Sequence, residues 1–181
     1  DFTKVLQAQT SSRARAAQMQ HAARYHIIGF GNQNPVFARK MSEKLEEILK
    51  RFKDDWDALE RELHKFIDEL KHGDRADFPG LDPKVQVPFV RLMLEFCSGG
   101  TEMPPAQRKR AIAATLDMVA RMQQEISKVG FWKNPDRREL LTKQLVRDLN
   151  SSGVCPAGKE RELAQQLVAL AKENHEHLTN P

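Results

Sequence analysis

The sequence predicts an all-α protein, a helical bundle of about six helices built around one long helix. Three observations carry this. Apolar side chains recur at three- and four-residue steps over most of the chain. Ser, Asn-Pro and Pro-Pro steps open those runs and glycines close them. No stretch shows the alternating β-branched pattern of a half-buried strand. With 181 residues, 40% hydrophobic and 30% charged, the chain can fill one ordinary core, so a single helical domain over 1–181 is expected.

The elements follow in order. Ser11 to Ile28 is rich in Ala, Gln and Arg, which favour helix, with Ser11 or Ser12 to cap it and Gly29, Gly31 and Asn32 to stop it. Asn34-Pro35 opens the next helix. Beyond it Leu45, Leu49, Phe52, Trp56, Leu59, Leu63, Phe66 and Leu70 form a heptad seam whose phase runs through Asp54-Asp55. That continuity predicts one helix of about 37 residues, roughly 55 Å long. Gly73 to Pro83 reads as a loop. A helix over Val87–Cys97 buries Phe89, Leu92, Met93 and Phe96 and ends at Ser98-Gly99-Gly100. Met103-Pro104-Pro105 starts a helix to Val129, with Ile112, Leu116, Val119, Met122 and Ile126 on one face and Gly130 closing it. Asn134-Pro135 opens another to Leu149, on which Leu141, Leu145 and Leu149 stack. Asn150–Gly158 is a loop, and a last helix spans Lys159–Leu178.

Charge is uneven. The net charge is +4. Seven basic and eleven acidic side chains lie between Ser42 and Asp74, against ten and five between Pro104 and Asn150. The basic half presents Arg108, Lys109, Arg110, Arg121, Arg137, Arg138, Lys143 and Arg147 as candidate contacts to a DNA backbone or a protein partner. Aromatic residues are scarce there, so base stacking is not implied. Arg13, Arg15 and Arg24 form a smaller basic set. Cys97 and Cys155 are far apart in sequence and in no CxxC arrangement, which fits a reducing, cytoplasmic setting rather than a disulfide framework, and Cys97 falls on an apolar face. No apolar run reaches the roughly 18 residues of a membrane span. The opening Asp1-Phe2-Thr3-Lys4 has neither an initiator Met nor a signal-peptide layout, and reads as the start of an excised fragment.

Catalytic patterns are missing. No GxxxxGK[ST] loop cradles a phosphate. His21 and His26 are five apart, near opposite sides of a helix, and His175-Glu176-His177 points its two imidazoles apart near an expected frayed end. Pro135-Asp136 with Glu139 and Lys143 superficially matches a PD…(D/E)xK nuclease pattern. However, the Lys is four residues past the acid and all four sit in one helical stretch, so a helix cap followed by an i,i+4 ion pair accounts for them.

Two consecutive segments carry a family resemblance. Arg13-Ala14-Arg15-Ala16-Ala17-Gln18-Met19-Gln20-His21-Ala22-Ala23-Arg24-Tyr25-His26-Ile27 is similar to the RARAxxMxHAxRxHI segment in R subunits of type I restriction enzymes. Asn34-Pro35-Val36-Phe37 and Met41-Ser42-Glu43-Lys44-Leu45-Glu46-Glu47-Ile48-Leu49 resemble the DPVFY…LSEKLEEIL segment that follows it, with Asn34 for the usual Asp and Ala38 for the usual aromatic. Trp56 sits where that family often has Trp. Phe131–Pro135 and Leu167–Lys172 resemble the closing helices of some members more loosely. The resemblance implies a C-terminal helical domain that docks the DNA-translocating ATPase and endonuclease subunit onto the methyltransferase (modification) subunits and the rest of the R subunit. It implies no catalytic residue and no cofactor in this chain. ATP, Mg²⁺ and S-adenosylmethionine would serve the holoenzyme elsewhere.

Overall fold

The computed structural model describes residues 11–180, with backbone alone for 73–76; the expected fragment start at Asp1–Lys4 lies outside the described residues. Every regular element among the described residues is a helix, with no strand. Among the described residues eight α-helices and one 3₁₀ turn stand where six helices were expected: α1 Ser12–Phe30, α2 Pro35–Arg51, α3 Trp56–Asp77, α4 Val87–Ser98, α5 Pro105–Ile126, the 3₁₀ turn Phe131–Lys133, α6 Pro135–Ser152, α7 Glu160–Glu173 and α8 His175–Thr179. No helix among the described residues is long and apolar enough to cross a membrane.

The single long helix does not form. The chain leaves α2 at Phe52 and re-enters a helix at Trp56. Asp55 caps α3, its Oδ1 accepting a hydrogen bond from the Ala58 amide at 2.9 Å, while the Asp55 amide donates to the Phe52 carbonyl. Charge marks the boundary. Lys50 and Arg51 occupy the last turn of α2, and Asp57 the first turn of α3. Cations favour the negative end of a helix dipole and carboxylates the positive end, so this order of signs favours two helices over one. The seam keeps its phase across the break because both halves face the same core. Leu45, Leu59, Leu63, Phe66 and Leu70 are buried with Ala16, Met19, Ala23 and Ile27 of α1, and Leu49 and Phe52 pack partly against them.

Two further boundaries differ from expectation. The loop expected from Gly73 begins later, because α3 continues to Asp77. The last helix breaks at Asn174, which is buried and turns its side-chain amide back onto the Leu170 carbonyl at 3.0 Å. The terminal turn is therefore docked rather than frayed. Leu178 is buried, Gln123 Nε2 donates to the Leu178 carbonyl at 3.2 Å, and Trp132 Nε1 donates to His175 Nδ1 at 3.1 Å.

One domain was expected, but the chain forms two compact units that divide between Gly80 and Leu81. In the first, α1 lies against both α2 and α3, which also pack on each other. Its apolar side chains from Ala16 to Leu70 close a core of their own, which is why the division falls after α3. In the second, α4 packs on α5, α5 on α6, α6 on α7, and α7 back on α4, with α8 against α5. Phe89, Met93, Met118, Met122, Leu141, Leu145, Leu163 and Leu167 are fully buried there. Left-handed glycines end two of these helices, Gly99 after α4 and Gly153 after α6.

The cap account makes a contrast testable by urea denaturation. Asp55→Ala removes a side-chain cap and costs about 1 kcal/mol in the transition of the first unit. Asp54→Ala, one residue earlier and capping nothing, leaves the midpoint unchanged.

Candidate nucleic-acid and partner interface

The eight basic residues singled out from sequence do not form one grip. Arg108, Lys109 and Arg110 are exposed in the first two turns of α5. Arg121, farther along α5, is held by Asp148 of α6, Nε to Oδ2 at 2.9 Å. Arg137, in the first turn of α6, donates to the Val129 carbonyl at 3.2 Å and so ties down the loop that follows α5. Lys143 and Arg161 of α7 share the Glu139 carboxylate, at 3.9 and 3.1 Å. Arg138 is half-buried and Arg147 exposed. Two of them, Arg110 and Arg121, line one concavity. This is a groove of about 560 Å³ between α5 and α6, floored by Ala113 and Ala114 and edged by Asp117, Asp148, Ser151 and Ser152. With a carboxylate for each arginine, the groove is electrically mixed rather than a phosphate channel. The nuclease-like residues have the bland geometry expected of them. Asn134 Oδ1 caps α6 through the Arg137 amide, and Lys143 and Glu139 are an i,i+4 pair.

The start of α5 departs from ordinary helix chemistry. Pro104 gives it no side-chain cap, its first turn holds no acid, and Arg108, Lys109 and Arg110 follow directly. Cations near the positive end of a helix dipole are unfavourable, so their placement costs stability unless an anion sits there.

The smaller arginine set is structural. Arg15 forms a two-pronged pair with Glu60 of α3, Nε to Oε1 at 2.8 Å and a terminal nitrogen to Oε2 at 2.9 Å. Both side chains are mostly shielded, at 28% and 18% exposure. Two such parallel bonds fix orientation as well as distance. The Glu60 carboxylate also pushes the Arg15 guanidinium above its already high ordinary pKa. Ser12 hydrogen-bonds Asp57, Arg13 lies over the Trp56 ring 5.3 Å from its centroid, and Arg24 pairs with Glu46 of α2 at 2.6 Å. These contacts clamp α1 onto α3 and α2. Trp56 is thus the base of a cation–π contact rather than a buried seam residue, and keeps 40% exposure.

With α1 held this way, Ala16, Met19, Ala23 and Ile27 point inward. The opposite stripe of Ala17, His21, Tyr25 and Ile28 is exposed. Tyr25 is 72% and Ile28 76% exposed, the most open large apolar side chains among the described residues of the first unit. Sequence reading missed this second face because Ala, Gln and His are compatible with either side of a helix. The signal was the weak apolar contrast around α1.

No protein-family model, no curated protein and no solved structure matches the chain. Among the described residues, no group of three or more His, Cys, Asp or Glu is placed to hold a metal ion.

The clamp yields a test of roles within α1. Arg15→Lys loses one prong of the pair with Glu60 and lowers the melting temperature measurably, because a lysine cannot span both oxygens. Arg24→Lys, at an exposed single-contact pair, leaves it unchanged. Differential scanning fluorimetry on the three proteins checks the ordering.

Proposed function

We propose that the chain is a non-catalytic helical docking domain of the kind found at the C-terminal end of type I restriction enzyme R subunits. It holds the ATP-driven DNA-translocating and endonuclease machinery against the methyltransferase core. The observation carrying this reading is the outward stripe of α1. The segment that resembles the R-subunit motif uses Arg15, Met19, Ala23 and Ile27 for folding, and leaves Tyr25 and Ile28, one turn apart, to solvent. Exposed apolar pairs at helical spacing are the anchors by which a helix seats on a partner. In this reading ATP, Mg²⁺ and S-adenosylmethionine are used by other parts of the holoenzyme, and the chain works in the cytoplasm.

Size-exclusion chromatography with light scattering, on the chain mixed with its cognate methyltransferase core, tests the reading. Co-elution is expected, and Tyr25→Ala with Ile28→Ala weakens the association by about tenfold or more, as the loss of apolar anchors does. A chain that elutes alone in the presence of the core contradicts the docking function.

The uncapped, cationic start of α5 favours a second reading, contact with a DNA backbone without sequence preference. Duplex binding should then fall steeply with salt. Replacing Arg108, Lys109 and Arg110 with Ala should flatten the slope of log K against log salt by up to about three. An unchanged slope removes these residues from any DNA contact.

A further inference from the structure

The outward face of α5 is charge-complementary to itself. Arg110 and Asp117 are both exposed on it and both line the groove beside α6. Seven residues separate them, two turns or roughly 10 Å along the helix axis, too far to pair with each other. No hydrogen bond or ion pair joins either side chain to another described residue. The midpoint between them falls between Ala113 and Ala114, the floor of the groove. Ala106, Ala113 and Ala120 are exposed on the same face, so its middle stands low between the charged ends. Arg121, one turn past Asp117, is already held by Asp148.

We propose that this face joins two copies of the chain in an antiparallel, two-fold dimer, with Arg110 of each copy paired to Asp117 of the other. A two-fold contact matches residue i of one copy to residue j of the other, and j to i. About an axis between Ala113 and Ala114, position 110 meets position 117 and 117 meets 110, so both charges are matched at once. Ala113 then meets Ala114 of the other copy, and side chains that small let the two helix axes approach to about 8 Å. A parallel pairing is disfavoured, because it sets Arg110 against Arg110 and Asp117 against Asp117. The antiparallel one also supplies what α5 lacks. Its first turn holds no acid although three cations follow, and Asp117 of the other copy brings a carboxylate to Arg110. Arg121 comes opposite Ala106, so its pair with Asp148 is left undisturbed. Exposed ion pairs contribute little each and are screened by salt, so the dimer is weak and salt-sensitive. The interface lies in the second unit and uses none of the α1 residues assigned to docking.

The test is sedimentation equilibrium of the full chain from roughly 10 μM to 1 mM, the range in which weak contacts associate. In low salt the native chain passes from monomer to dimer, and raising the salt from roughly 0.05 to 0.5 M lowers the association constant. Arg110→Asp and Asp117→Arg each weaken self-association by about tenfold or more, because like charges then face each other across the axis. An equimolar mixture of the two single variants dimerises again, since each supplies the charge the other lacks. The chain carrying both substitutions dimerises as well, with the signs exchanged. Recovery in the mixture separates lost complementarity from lost folding. A native chain that stays monomeric over the whole range in low salt, single variants that associate as the native chain does, or a mixture that stays monomeric would each overturn the proposal.

Discussion

An apolar seam that runs from Leu45 to Leu70 without a change of phase can be covered by one short partner only if the helix carrying it is broken. α1 has 19 residues, roughly 28 Å of helix. An unbroken seam helix would have been about twice as long and would have left half its apolar stripe in water. The Asp55 cap and the reversal of charge from Lys50-Arg51 to Asp57 end one helix and start the next. Both halves of the seam then reach the same face of α1. Everything else in the first unit depends on that turn. The Arg15–Glu60 pair needs α3 beside α1, Arg24–Glu46 needs α2 beside it, and Trp56 meets Arg13 because it opens α3.

Much of the fold was legible in the sequence, because helix periodicity and helix ends have local causes. Ser11, Asn34 and Asn134 cap the helices they were expected to cap. Gly99 takes the left-handed conformation that a helix terminus favours. Apart from Trp56 the seam residues were named correctly, but their helix was not. A heptad repeat reports which residues share a face, and says nothing of whether the backbone is continuous between them. The charge order across Phe52–Asp55 did carry that information. The missed break at Asn174 has a different cause. It depends on burial of an amide against the Leu170 carbonyl and on docking of Leu178, both tertiary.

The candidate site was less legible. A list of basic residues carries no account of the carboxylates that fold back onto them, and Asp148 and Glu139 take up Arg121, Lys143 and Arg161. The Arg108–Arg110 triplet is distinctive by its place, near the start of a helix whose first turn holds no acid. The outward stripe of α1 was hidden for another reason, since a helix with Ala, Gln, Arg and His spread round it gives little apolar contrast by which to choose the inner face.

The central claim is that α1 is a two-faced helix, one side closing the core and the other left for a partner. Tyr25 is the single tyrosine of the chain, so its chemistry reports that outer face alone. Nitration of Tyr25 by tetranitromethane, followed by mass spectrometry with and without the cognate methyltransferase core, is the most direct measurement. The account predicts rapid nitration of the chain alone and strong protection in the presence of the core. Equal rates in both conditions would contradict docking through this face, and a Tyr25 that resists nitration in the isolated chain would contradict the two-faced helix itself.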